Sequence, residues 1–305
     1  MGTKESKPRG QRVIGAWLCL LLTAPAITCG FQSTRQIEAN IERLRNAQDR
    51  LEKNPRDTKA LSLILSFLRD SNGINRANAA AVLGQTGELI GAEIKDEAVP
   101  PLIHLLETGD EFDRHAASAA LRDFGPHAKA AIPVLLKALK DGNTSTAWHS
   151  AEALGRMGDE GRVAIPSLIA ALNVYEIGKL EPGEGLMPQL AFEAADALAK
   201  FGPDAKQAIP ALKEKLEHPN GQFKIHLAQA IRRIDPNDAE SLQVLIALLQ
   251  HREIYIQRDA LMALGDLDKN ARPAIPAIRS YLQNKPGEEE REYATNALKK
   301  IEGND

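Results

Sequence analysis

Prolyl residues recur along this chain at a fixed step. Two runs of three positions follow the same step: Pro100, Pro133 and Pro166, and then Pro210, Gln243 and Pro276. From Pro166 to Pro210 the step is longer, as expected for one repeat that carries a short insertion. Self-similarity at a period of about 33 residues predicts a solenoid of stacked units, because each unit can bury its apolar face only against its neighbours.

A second series shows that every unit contains an amphipathic helix. Its members are Leu83, Leu121, Leu154, Leu198, Ile231, Leu264 and Leu298. Each member has small or apolar residues at three flanking places: four places before it, one place before it and three places after it. Thr86 is the one exception. These offsets lie on one face of an α-helix, so the series predicts a buried stripe on one helix of each unit.

Glycine and proline mark where the helices end and begin. Four glycines each follow a member of the second series by four places: Gly87, Gly125, Gly158 and Gly202. A glycine in the left-handed conformation commonly ends a helix at such a position. The phrase Ala-Ile-Pro then recurs, ending at Pro133, Pro166, Pro210 and Pro276. Because proline suits the first turn of a helix, each unit is predicted to contain a helix A, a short turn, a helix B and a tight link.

The phrases Ala-Ile-Pro-x-Leu and Ala-x-Ala-Leu-Gly resemble the HEAT repeat, especially the short bacterial form that also occurs in phycobilin-lyase-like proteins. The resemblance implies an all-α fold, an α-solenoid of stacked antiparallel helix pairs with a HEAT- or armadillo-like superhelix. We expect about seven units over residues 57–305, with the insertion near 173–189. A capping helix is predicted within residues 31–56, where apolar residues at helical spacing precede Asn54 and Pro55.

Residues 1–30 have the pattern of an export signal, or signal peptide. A positive stretch from Lys4 to Arg12 precedes an apolar run over residues 13–27. That run is shorter than the ~20 residues that a membrane-spanning helix needs, and Pro25 interrupts it. The sequence therefore predicts export across the cytoplasmic membrane, with a final location in the periplasm or at the outer membrane.

Cys29 directly follows the apolar run, and the segment from Pro25 to Cys29 resembles the lipobox of bacterial lipoproteins. The resemblance implies that the cysteine is lipidated and becomes the new N-terminus. Thr28 and Ala26 depart from the usual lipobox residues, so two outcomes remain open. Either Cys29 is lipidated and anchors the protein to a membrane, or the signal is cleaved after Ala26 or Gly30 without a lipid.

Charge and cysteine content exclude several classes of function. Residues 31–305 carry 34 basic and 40 acidic groups, whereas a protein that binds nucleic acid is expected to present a basic face. The two cysteines, Cys19 and Cys29, both precede the repeats, which therefore lack disulfides and thiol chemistry. The sequence contains no nucleotide-binding glycine loop and no nucleophile elbow. We therefore predict no catalytic residue, no cofactor and no nucleic-acid partner.

The side chains that helix B projects away from the buried stripe are the candidate partner-binding residues. The resemblance to HEAT proteins implies that the B helices line the concave surface of the array. The candidates on these helices are Trp148, His149, Glu152, Arg156, Glu193, Asp196, Lys200, His226 and Arg233. The insertion adds Tyr175 and Met187, because loops on rigid scaffolds often carry function. Three alternatives stay open: a merely solvated charged face, a Trp148 packed between repeats, and an insertion folded back on adjacent turns.

His149, Glu193 and His226 occupy the same place in successive units, which raises the question of a metal site. Neighbouring helices pack about 8–10 Å apart, whereas metal ligands lie about 2.0–2.2 Å from the ion. Equivalent side chains are therefore too widely spaced to share one ion, and we predict no metal site.

The function that these features favour is a non-enzymatic scaffold that binds a protein or peptide on the concave surface. Contact with a membrane is expected only through the lipid anchor. A lyase-like or otherwise catalytic HEAT protein is one alternative, and a structural component of an envelope assembly is another.

Overall fold

The computed structural model describes residues 33–87, 89–140, 145–173, 189–284 and 287–303. Over these ranges the chain forms one single helix and then seven pairs of helices, and none of the described residues lies in a strand. The single helix is α1, Thr34–Lys53. The first helices of the pairs are α2 (Thr58–Phe67), α4 (Ala92–Thr108), α6 (Ile132–Lys140), α8 (Ile165–Ala171), α10 (Ile209–Glu214), α12 (Ala239–Leu248) and α14 (Ile275–Gln283). The second helices are α3 (Gly73–Gln85), α5 (Glu111–Phe124), α7 (Ser145–Arg156), α9 (Gln189–Lys200), α11 (Gly221–Ile234), α13 (Ile254–Gly265) and α15 (Glu288–Glu302). The predicted all-α solenoid of stacked helix pairs is confirmed.

Two predicted segments cannot be compared with this architecture. The export signal at residues 1–30, with Cys29, lies outside the described residues. So do residues 174–188, which are nearly the whole of the predicted insertion. Within the described ranges, none of the helices has the length and apolar character needed to cross a membrane.

The second helices bury the predicted stripe along the array. Six of the seven members of the second series have a relative exposure of 0%, and Leu298 is partly exposed. Leu298 lies in α15, which no later unit of the described chain covers. The residues four places before each member are also fully buried, and the apolar side chains among them belong to one continuous core. Burying a leucine of this kind contributes about 1.5–3 kcal/mol, so stacking of the units is the main source of stability.

Three of the four predicted helix-ending glycines have the expected positive φ. The φ angles are 54° at Gly125, 64° at Gly158 and 55° at Gly202. At Gly125 the ψ angle is −129°, so this residue lies outside the left-handed helical region although its φ is positive. The prediction for Gly87 is wrong, because its φ is not positive. The chain leaves α3 through a turn in which the Gly87 N–H donates to the carbonyl of Gly84 over 2.9 Å.

Proline lies in the first helical turn wherever the phrase Ala-Ile-Pro occurs. In all four cases the new helix begins at the isoleucine of the phrase, after a short 3-10 turn. Pro100 differs, because α4 already begins at Ala92 and carries Pro100 and Pro101 in its interior. The fixed step of the prolines therefore marks equivalent places in the units without always marking a helix start.

Candidate functional site

The second helices form the more closely packed side of the stack. Along the array, successive second helices contact one another more extensively than successive first helices do. The second helices are the B helices, which the resemblance to HEAT proteins implies lie on the concave surface. We call the side chains that α3, α5, α7, α9, α11, α13 and α15 project away from the buried stripe the inner surface.

Arg122 of α5 joins two helices on the inner surface. Its guanidinium donates to the Asp123 carboxylate at 2.8 and 3.0 Å and to Glu152 of α7 at 3.3 Å. Arg156 completes the group, because its guanidinium lies 2.7 Å from Glu152 and 3.7 Å from Asp123. Against the effect of burial, the two carboxylates raise the pKa of Arg122. Two arginines and two carboxylates thus hold α5 and α7 together.

Two histidines lie beside this group. The ring centroids of His115 and His149 are 4.8 Å apart, with an angle of 55° between the ring planes. Arg122 Nη1 donates to His149 Nδ1 over 3.2 Å, and His115 Nδ1 lies 2.8 Å from Ser145 Oγ. Burial, the charge of Arg122 and the neighbouring His115 lower the pKa of His149 to about 4. Burial and Arg122 also lower the pKa of His115, so both rings are neutral at neutral pH.

On α9, Glu193, Asp196 and Lys200 continue the row of polar side chains. Gln189 Nε2 donates to Glu193 Oε1 over 2.6 Å, and Lys200 Nζ lies 2.7 Å from Asp196 Oδ2. Burial raises the pKa of Glu193, and the negative charge of Glu152 on the preceding second helix raises it further. The Glu152 carboxylate of α7 therefore lies near enough to act on Glu193 of α9.

On α11, His226 and Arg233 extend the row by one more unit. The rings of Phe192 and His226 meet edge to face, with centroids 4.1 Å apart. Arg233 Nη1 lies 3.5 Å from Asp196 Oδ1 on α9. Burial lowers the pKa of His226, while the carboxylates of Asp196 and Asp259 act in the opposite direction. The predicted residues of α7, α9 and α11 are thus brought into one row that continues the Arg122 group.

Known protein families match the chain over the region of the helix pairs. The family described as HEAT repeats matches residues 99–176 and 209–299, which is more than half of the chain. This chain belongs to the HEAT-repeat family. The family described as PBS lyase HEAT-like repeat matches residues 76–108 and 190–218. A comparison with curated proteins finds no match.

Several solved structures are similar to this HEAT protein in fold. An engineered protein from the Northeast Structural Genomics Consortium is 20% identical with a TM-score of 0.54, and the similarity covers 93% of this chain and 77% of that chain. The complex of CpcE and CpcF of phycocyanin lyase from Nostoc sp. PCC7120 is 21% identical with a TM-score of 0.37, covering 92% and 98%. A designed armadillo repeat protein in complex with the peptide (KR)4 is 18% identical with a TM-score of 0.40, covering 79% and 99%. At these levels of identity, similarity extends to the fold alone.

Trp148 of the HEAT array is placed differently from the other predicted residues. It is only partly exposed and packs against the apolar core. Its indole N–H is buried and has no hydrogen-bond partner among the described residues. The remaining candidates, Tyr175 and Met187 of the insertion and Cys29 of the signal, lie outside the described residues.

The three residues that repeat at the same place in the HEAT units each have a different neighbour. These residues are His149, Glu193 and His226. These neighbours are Arg122, Gln189 and Phe192, respectively. Across the described ranges, no group of three or more His, Cys, Asp or Glu side chains could hold a metal ion. The guanidinium of Arg122 beside His149 also disfavours a second cation there.

The place of His115 on the inner surface, where it contacts Ser145, was not predicted from the sequence. The structure places the His115 ring beside His149 on the inner surface. His149, Glu193 and His226 each stand five places before a member of the second series, whereas His115 stands six places before Leu121. Including that neighbouring position in the helical projection would have found it.

The exposed apolar residues of α13 were also not predicted as binding residues from the sequence. Tyr255 is 50% exposed and Met262 is 44% exposed. The signal was available, because Met262 is the only large apolar residue that stands two places before a member of the second series. Every other unit has alanine or a polar residue at that place.

Proposed function

We propose that this HEAT protein is a non-enzymatic scaffold that holds a protein or peptide segment on its inner surface. The proposal depends on the row of paired polar side chains that continues from α5 to α11. Arg122 pairs with Glu152 between α5 and α7, and Arg233 pairs with Asp196 between α9 and α11. Such groups are already partly dehydrated and ordered by their neighbours. A partner therefore loses less free energy in fixing them than it would on a fully solvated face.

The charges of this row favour a partner segment of mixed charge. Four cationic and four anionic side chains are interspersed along it: Arg122, Asp123, Glu152, Arg156, Glu193, Asp196, Lys200 and Arg233. A polyanion such as nucleic acid would meet as many carboxylates as cations there, which supports a protein or peptide as the partner.

The proposed location is outside the cytoplasm, on the basis of the signal-like pattern in residues 1–30. Mass spectrometry of the N-terminus of the protein from its native cells tests this. A lipid-modified Cys29 at the N-terminus would establish a membrane tether. An unmodified N-terminus after Ala26 or Gly30 would establish simple cleavage, and an intact start at Met1 would contradict export.

Photo-crosslinking tests whether the inner surface holds a partner. A photoreactive phenylalanine would be placed at Gln229 or Asn296, which stand at equivalent places on the inner surface. Gln243 and Ser280, which are exposed on the first helices α12 and α14, are the matched outer controls. We expect adducts with one defined protein from the inner positions only. Adducts from the outer positions alone, or from none of the four, would contradict the proposal.

The proposal is for binding without chemistry. Arg122 and Arg156 both bridge the carboxylates of Asp123 and Glu152. This mutual pairing supports a binding role for the ionisable side chains of the row. Purification from native cells separates this function from a lyase-like one. A stoichiometric protein partner is expected, whereas a bound chromophore or metal ion would favour catalysis.

A further inference from the structure

The helix α13 interrupts the paired charges of the inner surface. Of the six large apolar side chains that are exposed in the described part of the chain, three belong to this helix: Ile254, Tyr255 and Met262. At the place of Met262, α7 and α9 carry Glu152 and Asp196, and both of those are in ion pairs. The inner surface therefore changes at α13 from paired charges to exposed apolar area.

Asp259 lies on the same helical face, four places after Tyr255 and three places before Met262. Residues at these spacings are neighbours on a helix surface. Asp259 is half-buried and has no ion pair or hydrogen bond with any other described residue. Three cationic side chains of α11, α13 and α15 are each held by another carboxylate: Arg233 by Asp196, Arg258 by Glu289 and Lys300 by Asp266.

The negative charge of Asp259 is also not balanced by its neighbour on α11. Burial lowers the pKa of His226, so this ring is neutral at neutral pH. Asp196 also acts on His226, but its own charge is already paired with Lys200 and Arg233. A half-buried carboxylate without a counter-ion, between two exposed apolar side chains, is complementary to a cation on an apolar stem.

We infer that Tyr255, Asp259 and Met262 form a subsite for one lysine or arginine side chain of an extended peptide. This inference rests on the function proposed above. The cationic end lies against the Asp259 carboxylate, and the methylene stem lies along Met262 and the Tyr255 ring. Long cationic side chains commonly bury their stems on apolar surface in this way, and the face of a tyrosine ring attracts the charge. A glutamate would be repelled, and a purely apolar side chain would dehydrate Asp259 without replacing its hydrogen bonds to water.

Matched peptides test the subsite on the full-length protein. The probes are fluorescein-labelled (Ala-Arg-Leu-Ser)3, (Ala-Gln-Leu-Ser)3 and (Ala-Glu-Leu-Ser)3, with binding measured by fluorescence anisotropy. We expect the arginine peptide to bind about five- to tenfold more tightly than the glutamine peptide, and the glutamate peptide to bind most weakly. Asp259→Asn should remove this preference while leaving binding of the glutamine peptide unchanged.

Asp49→Asn is the matched control, because Asp49 is an exposed carboxylate of α1 without an ion pair among the described residues. This variant should keep the full preference for arginine. Equal affinity for the arginine and glutamine peptides, no binding of any of the three, or an equal effect of the two variants would each overturn the subsite.

The two proposals fail separately. The crosslinking positions Gln229 and Asn296 are not part of the subsite, so they report on the inner surface as a whole. Crosslinking at these positions without a preference for arginine would remove the subsite and leave the scaffold function standing. Failure of crosslinking would remove the scaffold function itself.

Discussion

Gly155 in α7 lies so close to Ala197 in α9 that a Cβ on Gly155 would be 2.7 Å from both the Cα and the Cβ of Ala197. Contacts of this length are essentially never seen for real Cβ atoms. Two further pairs are almost as close, because a Cβ on Gly84 would lie 3.1 Å from the Cα of Ala120 and a Cβ on Gly265 would lie 3.2 Å from the Cα of Ala297. Successive second helices thus pack through small residues, because only these let the helix backbones approach so closely.

Gly155→Ser is therefore expected to lower the free energy of unfolding by about 1–3 kcal/mol, since α7 and α9 must move apart to admit the side chain. The matched control is Gly91→Ser, because a Cβ on Gly91 would meet no atom within 4 Å and serine is favourable at that helix start. Urea unfolding followed by circular dichroism measures both. Equal effects of the two substitutions would contradict the close packing of α7 against α9.

Arg122→Gln is expected to lower the free energy of unfolding by about 1–3 kcal/mol, because it removes charged hydrogen bonds to Asp123 and Glu152. The Arg122 side chain is 23% exposed, whereas that of Arg156 is 43% exposed. Arg156→Gln should therefore cost less than about 1 kcal/mol, as is typical of exposed ion pairs. Thermal and urea unfolding of both variants would show the order, and a larger effect at Arg156 would contradict the central position given to Arg122.

His149 should make stability depend on pH. Burial, with the charge of Arg122, lowers the pKa of His149 in the folded chain from 6.5 to about 4. Between these values the unfolded chain binds more protons than the folded chain, so stability falls as the pH is lowered through this window. The glutamine of His149→Gln can still accept from Arg122 but does not titrate. Between about pH 7 and about pH 5, the free energy of unfolding should decrease more for the natural protein than for His149→Gln. Parallel pH profiles would show that another group is responsible.

Asp268 is the only residue other than glycine with a positive φ in the described part of the chain, at 47°. It occupies the place after α13 that Gly125, Gly158 and Gly202 occupy in other units. Asp268→Gly is expected to stabilise the protein by about 0.5–1 kcal/mol, because glycine has no Cβ to strain this conformation. Asp268→Ala should destabilise it, since alanine tolerates positive φ less well than aspartate. Calorimetric melting of the two variants would test this, and a gain for alanine as large as that for glycine would exclude backbone strain as the cause.

The architecture of this protein could be predicted from local patterns in its sequence. The regular spacing of the prolines, the apolar series through Leu154 and the glycines at the helix ends each specify part of one helix pair. These signals depend on the periodicity of a single helix and on backbone preferences that act over a short stretch of chain. Because the same signals recur in every unit, they also require the units to stack.

The tertiary structure alone decided which side chains meet between the units. The pairing of Arg122 with Glu152, the ring contact of His115 with His149 and the packing of Trp148 against the core are contacts of this kind. They depend on the distance and rotation between neighbouring helices, which the small residues at the helix contacts set, and on side-chain rotamers at positions that the repeat does not constrain. The sequence by itself therefore determined the helix pairs and their buried stripe. Only the stacking of those pairs decided which charges are paired and which, such as that of Asp259, have no ion pair among the described residues.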